Sequence, residues 1–218
     1  MKNQNRFLLA TFATAVAAAF TVGLPRAAYA DDVTPPPVPD NLKVEAGNVP
    51  FLVGHAIGTQ NYVCAPTANG GVGYVLFTPE ATLFNGADRQ IITHFFSPNP
   101  FENNTNPAVI APGAIRATWQ HSSDSSTVWA FVGPNNASSD PAFVAPNSVA
   151  WLLLTVSGSE DGPVGNGALT GTTFIHRLNT HGGLAPSTGC ASSANFGRTA
   201  FVPYTADYFF YRHSNAAD

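Results

Sequence analysis

The sequence predicts an all-β protein, a single-domain antiparallel β-sandwich or barrel with one long-range disulfide. Three observations carry that reading. Short apolar or alternating runs recur between clusters of Gly, Pro, Asn and Ser, which is the rhythm of strands and turns. No stretch has helical periodicity long enough to serve as a crossover between parallel strands. Two cysteines, Cys64 and Cys190, follow an amino-terminal segment with the features of an export signal. In an oxidising compartment they have one pairing available.

The amino terminus comes first. Lys2 and Arg6 form a basic start, Phe7 to Leu24 is mostly apolar, and Ala28-Tyr29-Ala30 has the small-x-small pattern of a cleavage site. The apolar stretch is long for a signal, and the alternative is an uncleaved anchor. Its Ala and Thr content and the arrival of Pro25 favour cleavage after Ala30, with a periplasmic or secreted product and no membrane insertion afterwards. No cysteine follows the site for lipid attachment, and no Arg-Arg pair precedes the apolar run.

Residues 31–40, with Pro35-Pro36-Pro37 and Pro39, read as an extended polyproline-type leader. One β domain then spans residues 41–213, leaving residues 214–218 as a flexible tail. About 188 residues remain after cleavage, enough for one well-buried core. The predicted strands are Phe51–Ile57, Gly73–Phe77, Ala81–Phe84, Ile91–Phe96, Ala114–His121, Thr127–Val132, Val149–Val156, Thr172–Leu178 and Ala200–Arg212. Thr118–His121 and Thr127–Ala130, joined by the Ser122–Ser126 loop, form a predicted hairpin. A short helical turn is expected near Ala191–Phe196. Trp119, Trp129 and Trp151 fall in strands, where packing is their default role.

Cleavage would remove three basic residues and no acidic one, leaving six basic against 13 acidic residues, a net charge of −7. A chain so balanced has no electrostatic attraction to nucleic acid or anionic lipid. Charged residues make up 10% of the sequence, well below the usual quarter. A surface built instead from Asn, Ser, Thr and Gly suits neutral partners such as glycans or small molecules.

The Cys64–Cys190 bridge closes a loop of 126 residue steps. Chain entropy assigns such a closure roughly 4–5 kcal/mol, although measured bridges often give less. It also gathers two polar stretches, Gly58–Tyr62 and Arg177–Gly183, at one end of the domain. Gln60, Asn61, Tyr62, Arg177 and Asn179 are therefore the candidate ligand-binding residues, with a hydrogen-bonded network that merely pins loops as the alternative.

Other chemistry has weaker support. None of the six histidines shares the His-x-His or His-x₃-His spacing that brings two imidazoles onto one metal, so no metal or cofactor is assigned. A composite site from separate strands would draw on His94, His121 and Asp207, with His55 as a further member. Gly165–Gly171 is glycine-rich, but a strand-like run follows it where a phosphate loop needs a helix. No Gly-x-Ser-x-Gly elbow is present, and no catalytic residue is assigned. Tyr204–Arg212 is apolar on both faces and reads as a central strand. Asp207 within it needs a partner, for which Arg177 is the first candidate.

Taken together, Gly58-Thr59-Gln60-Asn61-Tyr62-x-Cys64, Ile92-Thr93-His94-Phe95, Trp119-Gln120-His121-Ser122, Trp151–Leu154, the Arg177-x-Asn179-Thr180-x-Gly182-Gly183-x-Ala185-Pro186 run to Cys190, and Tyr204–Tyr211 are specific. They resemble the exported family of bacterial and fungal proteins described as domain of unknown function 3455. The resemblance covers nearly all of residues 41–212 and implies a secreted β-rich domain with no activity assigned. Some members carry a malate dehydrogenase label, which the lack of any dinucleotide-binding pattern here does not support. The expectation is a noncatalytic exported domain binding a neutral ligand, glycan or partner surface. The alternatives are a secreted hydrolase or oxidoreductase using the composite site, and a self-associating envelope protein.

Overall fold

A computed structural model describes residues 33–97, 115–163 and 167–214. The expected signal and cleavage site, the first two leader residues, Ala114, Gly165 and Asn166, and the tail beyond Ser214 lie outside the described residues. Eight strands follow in chain order: β1 (Asn48–Pro66), β2 (Val72–Phe84), β3 (Gln90–Ser97), β4 (Arg116–His121), β5 (Thr127–Ser138), β6 (Trp151–Glu160), β7 (Thr172–Gly182) and β8 (Thr199–His213). Each pairs antiparallel with the next, and β8 returns to β1, so the sheet is a closed up-and-down barrel. Of the two predicted architectures, the barrel is the one formed. Closure pairs β1 with β8, so neither the first nor the last strand is left as an edge.

The strands follow the sequence pattern with one fusion. Gly73–Phe77 and Ala81–Phe84, read separately, are both parts of β2. Asn61 pairs with Thr78 but Tyr62 pairs with Leu76, so Phe77 is an extra residue in β2. That bulge and Pro79 interrupt the alternation and make one strand read as two. The predicted hairpin forms with Thr118 opposite Trp129, and the expected helical turn is a 3₁₀ turn at Ser193–Asn195.

Alternation sorts the side chains into two cores. Leu83, Ile92, Val128, Leu169, Ile175 and Phe210 point inward and pack together. They fill the end of the lumen that carries the β2–β3, β4–β5 and β6–β7 turns, which is its floor. Asp124 secures the floor: it accepts from the Ser126 N–H at 2.8 Å, the Ser126 hydroxyl at 2.7 Å and the Ala168 N–H at 2.7 Å. These bonds outweigh the cost of burial and hold its carboxyl at about 2.

The second core is outside the barrel. Val53, Trp151, Leu153, Leu178, Phe209 and Tyr211 point outward and are covered by Leu42 and Val144, with Val33, Val38 and Val44 packed alongside. The proline-rich segment is thus an extended strap laid on the barrel wall. His176 fastens it: its Nε2–H donates to the Leu42 carbonyl at 2.7 Å, and its Nδ1 accepts from the Tyr211 hydroxyl at 2.9 Å. Burial holds this imidazole below its usual pKa and so in the neutral form that pattern requires. Inner and outer cores together explain why β8 is apolar on both faces.

One expected pair is corrected. Asp207 does not meet Arg177, because β8 and β7 turn them to opposite sides of the wall. Asp207 is on the outer face, where it accepts from His55 Nδ1–H at 2.7 Å and from the Asn179 amide at 2.7 Å. Arg177 points inward and donates through Nε and Nη2 to the Ala150 carbonyl at 3.2 and 2.9 Å.

Cys64 and Cys190 are bonded, with their Cα atoms 5.5 Å apart. The bridge ties the β7–β8 connection to the end of β1, at the barrel end opposite the floor. There the Cys64 N–H donates to the Arg198 carbonyl at 2.8 Å and the Gly197 N–H to the Cys64 carbonyl at 3.0 Å. Replacing both cysteines by alanine should lower unfolding free energy by about 2–5 kcal/mol in a urea titration. An unchanged midpoint would show that the seam holds without the bridge.

Candidate functional site

The lumen is filled at the floor and hollow above it. Two inward positions on the neighbouring strands β4 and β5 are small: Ala117 and Ala130 are register partners, and both line a cavity of about 520 Å³. That volume lies in the range of small-molecule sites. The wall is mainly apolar, with Phe96, Leu152, Leu154 and Val149 among its members. Leu76, Ile115, Phe131, Val132 and Leu184 line it near the mouth and are themselves exposed, giving the opening an apolar rim.

An aromatic layer separates cavity from floor. His94 stacks on Trp119 with ring centres 4.3 Å apart and planes 9° from parallel. Tyr208 meets both rings, at 5.1 Å from His94 and 5.6 Å from Trp119, and Phe210 closes edge-on beneath Trp119 at 6.3 Å. His94 Nδ1–H donates to the Thr118 carbonyl at 2.8 Å, which leaves Nε2 as an acceptor. Desolvation pushes this imidazole down to about 3, the Thr118 bond opposing the shift and the nearby Arg177 charge adding to it. His94 is therefore a neutral ring at physiological pH.

The polar groups of the wall are few. The Tyr62 hydroxyl donates to the Gly183 carbonyl at 2.6 Å. Gly183 has a φ of +83°, and a Cβ there would come within 2.9 Å of Tyr204, so glycine is needed for this close approach. Tyr204 and Tyr208 hydroxyls lie 3.3 Å apart. Burial raises Tyr62, Tyr204 and Tyr208 above the usual phenol value, while the Arg177 charge opposes that rise at all three. Among the described residues Arg177 is the one charged side chain in the wall, and no carboxylate is paired with it. Gln60 Nε2 and Trp119 Nε1 are buried donors without a well-formed hydrogen bond.

The residues singled out from sequence divide by face. Gln60, Tyr62 and Arg177 line the cavity together. Asn61 is buried on the other side of β1, accepting from the Thr59 hydroxyl at 2.6 Å. Asn179 is exposed on the outer face with Asp207. It takes a φ of +50° where the β7–β8 register shifts between Leu178 and His181. Of the composite set, His94 is in the cavity, His121 is the last residue of β4, 3.2 Å from Asp124 in the turn that follows, and Asp207 is on the outer wall beside His55. The three occupy separate places. No group of three or more metal-ligating side chains occurs among the described residues.

Trp119 and Tyr208 were not singled out as site residues. The signal was present in the alternation: Ile92-x-His94-x-Phe96, Ala117-x-Trp119 and Tyr204-x-Ala206-x-Tyr208-x-Phe210 each mark one face of a strand.

Fold and cavity define a class: a closed eight-stranded up-and-down barrel with an internal, mostly apolar chamber that the described residues leave open at one end. Within that class, the chain belongs to the family described as protein of unknown function (DUF3455), whose model matches residues 45–212. No curated protein and no solved structure matches the chain.

His94 makes the stability of the chamber sensitive to acid. Below the ordinary imidazole value of 6.5 the unfolded chain binds a proton that folded His94 refuses until about pH 3. The unfolded state binds more protons in that window, so folding weakens as pH falls, by about 1.4 kcal/mol per unit at most. His176 shifts in the same direction. Unfolding free energy should therefore drop between about pH 6.5 and about pH 5, by about 2 kcal/mol from His94 alone. His94→Gln should flatten the profile by that one-proton slope. Equal slopes in the two proteins would contradict a neutral buried His94.

Proposed function

We propose that this is an exported, noncatalytic carrier or receptor domain that holds one small, largely apolar molecule in the barrel lumen. The observation that carries the reading is the chamber of about 520 Å³ above a sealed floor. A barrel of eight strands has just enough interior to be filled by its own side chains or to hold one small ligand. Here the floor is filled and the upper half is hollow, because Ala117 and Ala130 occupy positions where larger residues would fit.

Three further features support it. The chamber's rim is apolar and exposed, so an apolar molecule entering loses little hydration by passing it. Its wall holds a neutral imidazole and phenols raised above their usual range, which lack the shared proton of an acid–base pair near neutral pH. The disulfide and the amino-terminal sequence together favour a location outside the cytoplasm. The lumen also favours an apolar small molecule over a glycan, since sugars need a wall dense in paired polar groups.

Phenylnaphthylamine, an uncharged dye that brightens in apolar surroundings, tests the reading. The wild-type protein should bind it saturably at one site per chain. Ala117→Trp, which places an indole in the chamber, should abolish that binding while near-ultraviolet circular dichroism stays native. A folded Ala117→Trp protein that binds the dye as well as wild type would place the binding elsewhere and overturn the proposal.

A further inference from the structure

We infer that the molecule held in the lumen carries an anionic head group, which docks on the Arg177 guanidinium while the apolar body fills the chamber and rim. The inference rests on the lumen being the binding site and specifies what it takes. It departs from the neutral ligand that the low overall charge of the sequence suggested.

The wall's charge balance is the first argument. Arg177 is its one charged side chain among the described residues, and a guanidinium stays protonated in proteins. All three ion pairs among the described residues lie elsewhere: Lys43 with Asp40, His55 with Asp207, and His121 with Asp124. The positive charge acts on Tyr62, His94, Tyr204 and Tyr208, four inward side chains on the three strands β1, β3 and β8. None of the four neutralises it: the imidazole is itself disfavoured from charging, and the phenols hold their protons. A partly buried charge without a counter-charge attracts one more strongly than it would in bulk water.

Hydrogen bonding gives the second argument. The guanidinium has five N–H donors; Nε and Nη2 serve the single Ala150 carbonyl, and the Tyr208 hydroxyl is within hydrogen-bonding reach as well. Donor capacity is left over. Gln60 Nε2 and Trp119 Nε1, each on a side chain at least nine-tenths buried and lining the same cavity, add two more donors without a well-formed bond. Gln60 is within hydrogen-bonding reach of the Tyr204 hydroxyl, but the geometry is poor and the donor is not saturated. A wall with donors in surplus matches a group that only accepts. A carboxylate or sulfonate is such a group, and it meets a guanidinium with two parallel bonds.

The chamber supplies the rest of the ligand's description. Apart from this polar patch the lining is mostly aliphatic and aromatic, with Phe96 on β3, Val132 on β5 and Leu152 and Leu154 on β6. The class is therefore an amphipathic organic acid: one anionic end and an apolar body small enough for about 520 Å³.

Two dyes that differ by one sulfonate decide the matter. Anilinonaphthalene sulfonate and uncharged phenylnaphthylamine share the same apolar skeleton. By charge-assisted hydrogen bonding, the sulfonate should bind wild-type protein about tenfold tighter or better. Arg177→Met should bring the two dyes to similar affinity by weakening the sulfonate, with phenylnaphthylamine binding showing that the variant is folded. Arg177→Lys, which keeps the charge, should retain most of the preference. Should Arg177→Met fail to fold, the wild-type ratio and the lysine variant still decide. Phenylnaphthylamine binding as tightly as the sulfonate in wild type would overturn the anionic head group and leave the lumen site standing. Failure of both dyes to bind would overturn the lumen site itself.

Discussion

The seam between β1 and β8 closes the sheet by pairing the two ends of the barrel's chain, from Asn48 opposite His213 to Val63 opposite Thr199. Every other ladder joins strands adjacent in sequence and needs no more than a turn or loop to form. This one brings together segments separated by nearly the whole domain, so it bears the largest loop-closure entropy. Without it, β1 and β8 would both be open edges, the lumen would be a groove, and the aromatic layer would lose Tyr208 and Phe210 from one side. Gly58 shows how tight the neighbouring wall is. A Cβ there would fall 2.1 Å from the Glu80 carbonyl oxygen, so this stretch of β1 can sit against β2 only as glycine.

The disulfide is an extension of that seam. Cys64 is on β1 just beyond the last paired residue, and the backbone bonds between Cys64 and the Gly197–Arg198 segment carry the ladder one step further. Cys190 then anchors the connection that supplies Leu184 to the rim. Seam, bridge and rim are mechanically one unit. The opposite end is built differently: Asp124, an ion with three hydrogen bonds, fastens the β4–β5 turn to the segment leading into β7. The mouth is held covalently and the floor by an ionised carboxylate.

Much of this was legible in the sequence because strand alternation is a local property. The strands, the all-β class, the hairpin at Ser122–Ser126 and the cysteine pair all follow from patterns a few residues long. Closure was not legible, since nothing within β1 or β8 says that they meet, and a sandwich made of the same strands would show the same runs. The candidate site was half legible for a related reason. Gln60, Tyr62 and Arg177 share a chamber because β1 alternates regularly between residues 60 and 62 and Arg177 precedes the irregular part of β7. Asn179 has the same parity as Arg177, yet the shifted register after Leu178 turns it outward. A bulge reverses every inference made from alternation beyond it. Asp207 was misassigned by the opposite omission. Its position between Ala206 and Tyr208 puts it on the outer face, where His55 sits directly opposite it in register.

That same alternation separates two kinds of polar residue on neighbouring strands. On the outer wall, both Asp207 oxygens are used by His55 and Asn179, and His176 uses both ring nitrogens on the strap and Tyr211. Satisfied polar groups of this kind hold structure and have nothing left over for a ligand. Inside, the accounting differs. Arg177, partly buried, uses two nitrogens on the Ala150 carbonyl and reaches the Tyr208 hydroxyl, contacts that a neutral donor would serve as well. These contacts call for a donor and not for a full charge. A charge that the fold does not need, set in a chamber that the fold does not fill, is the arrangement expected when the missing partner is supplied from outside the chain.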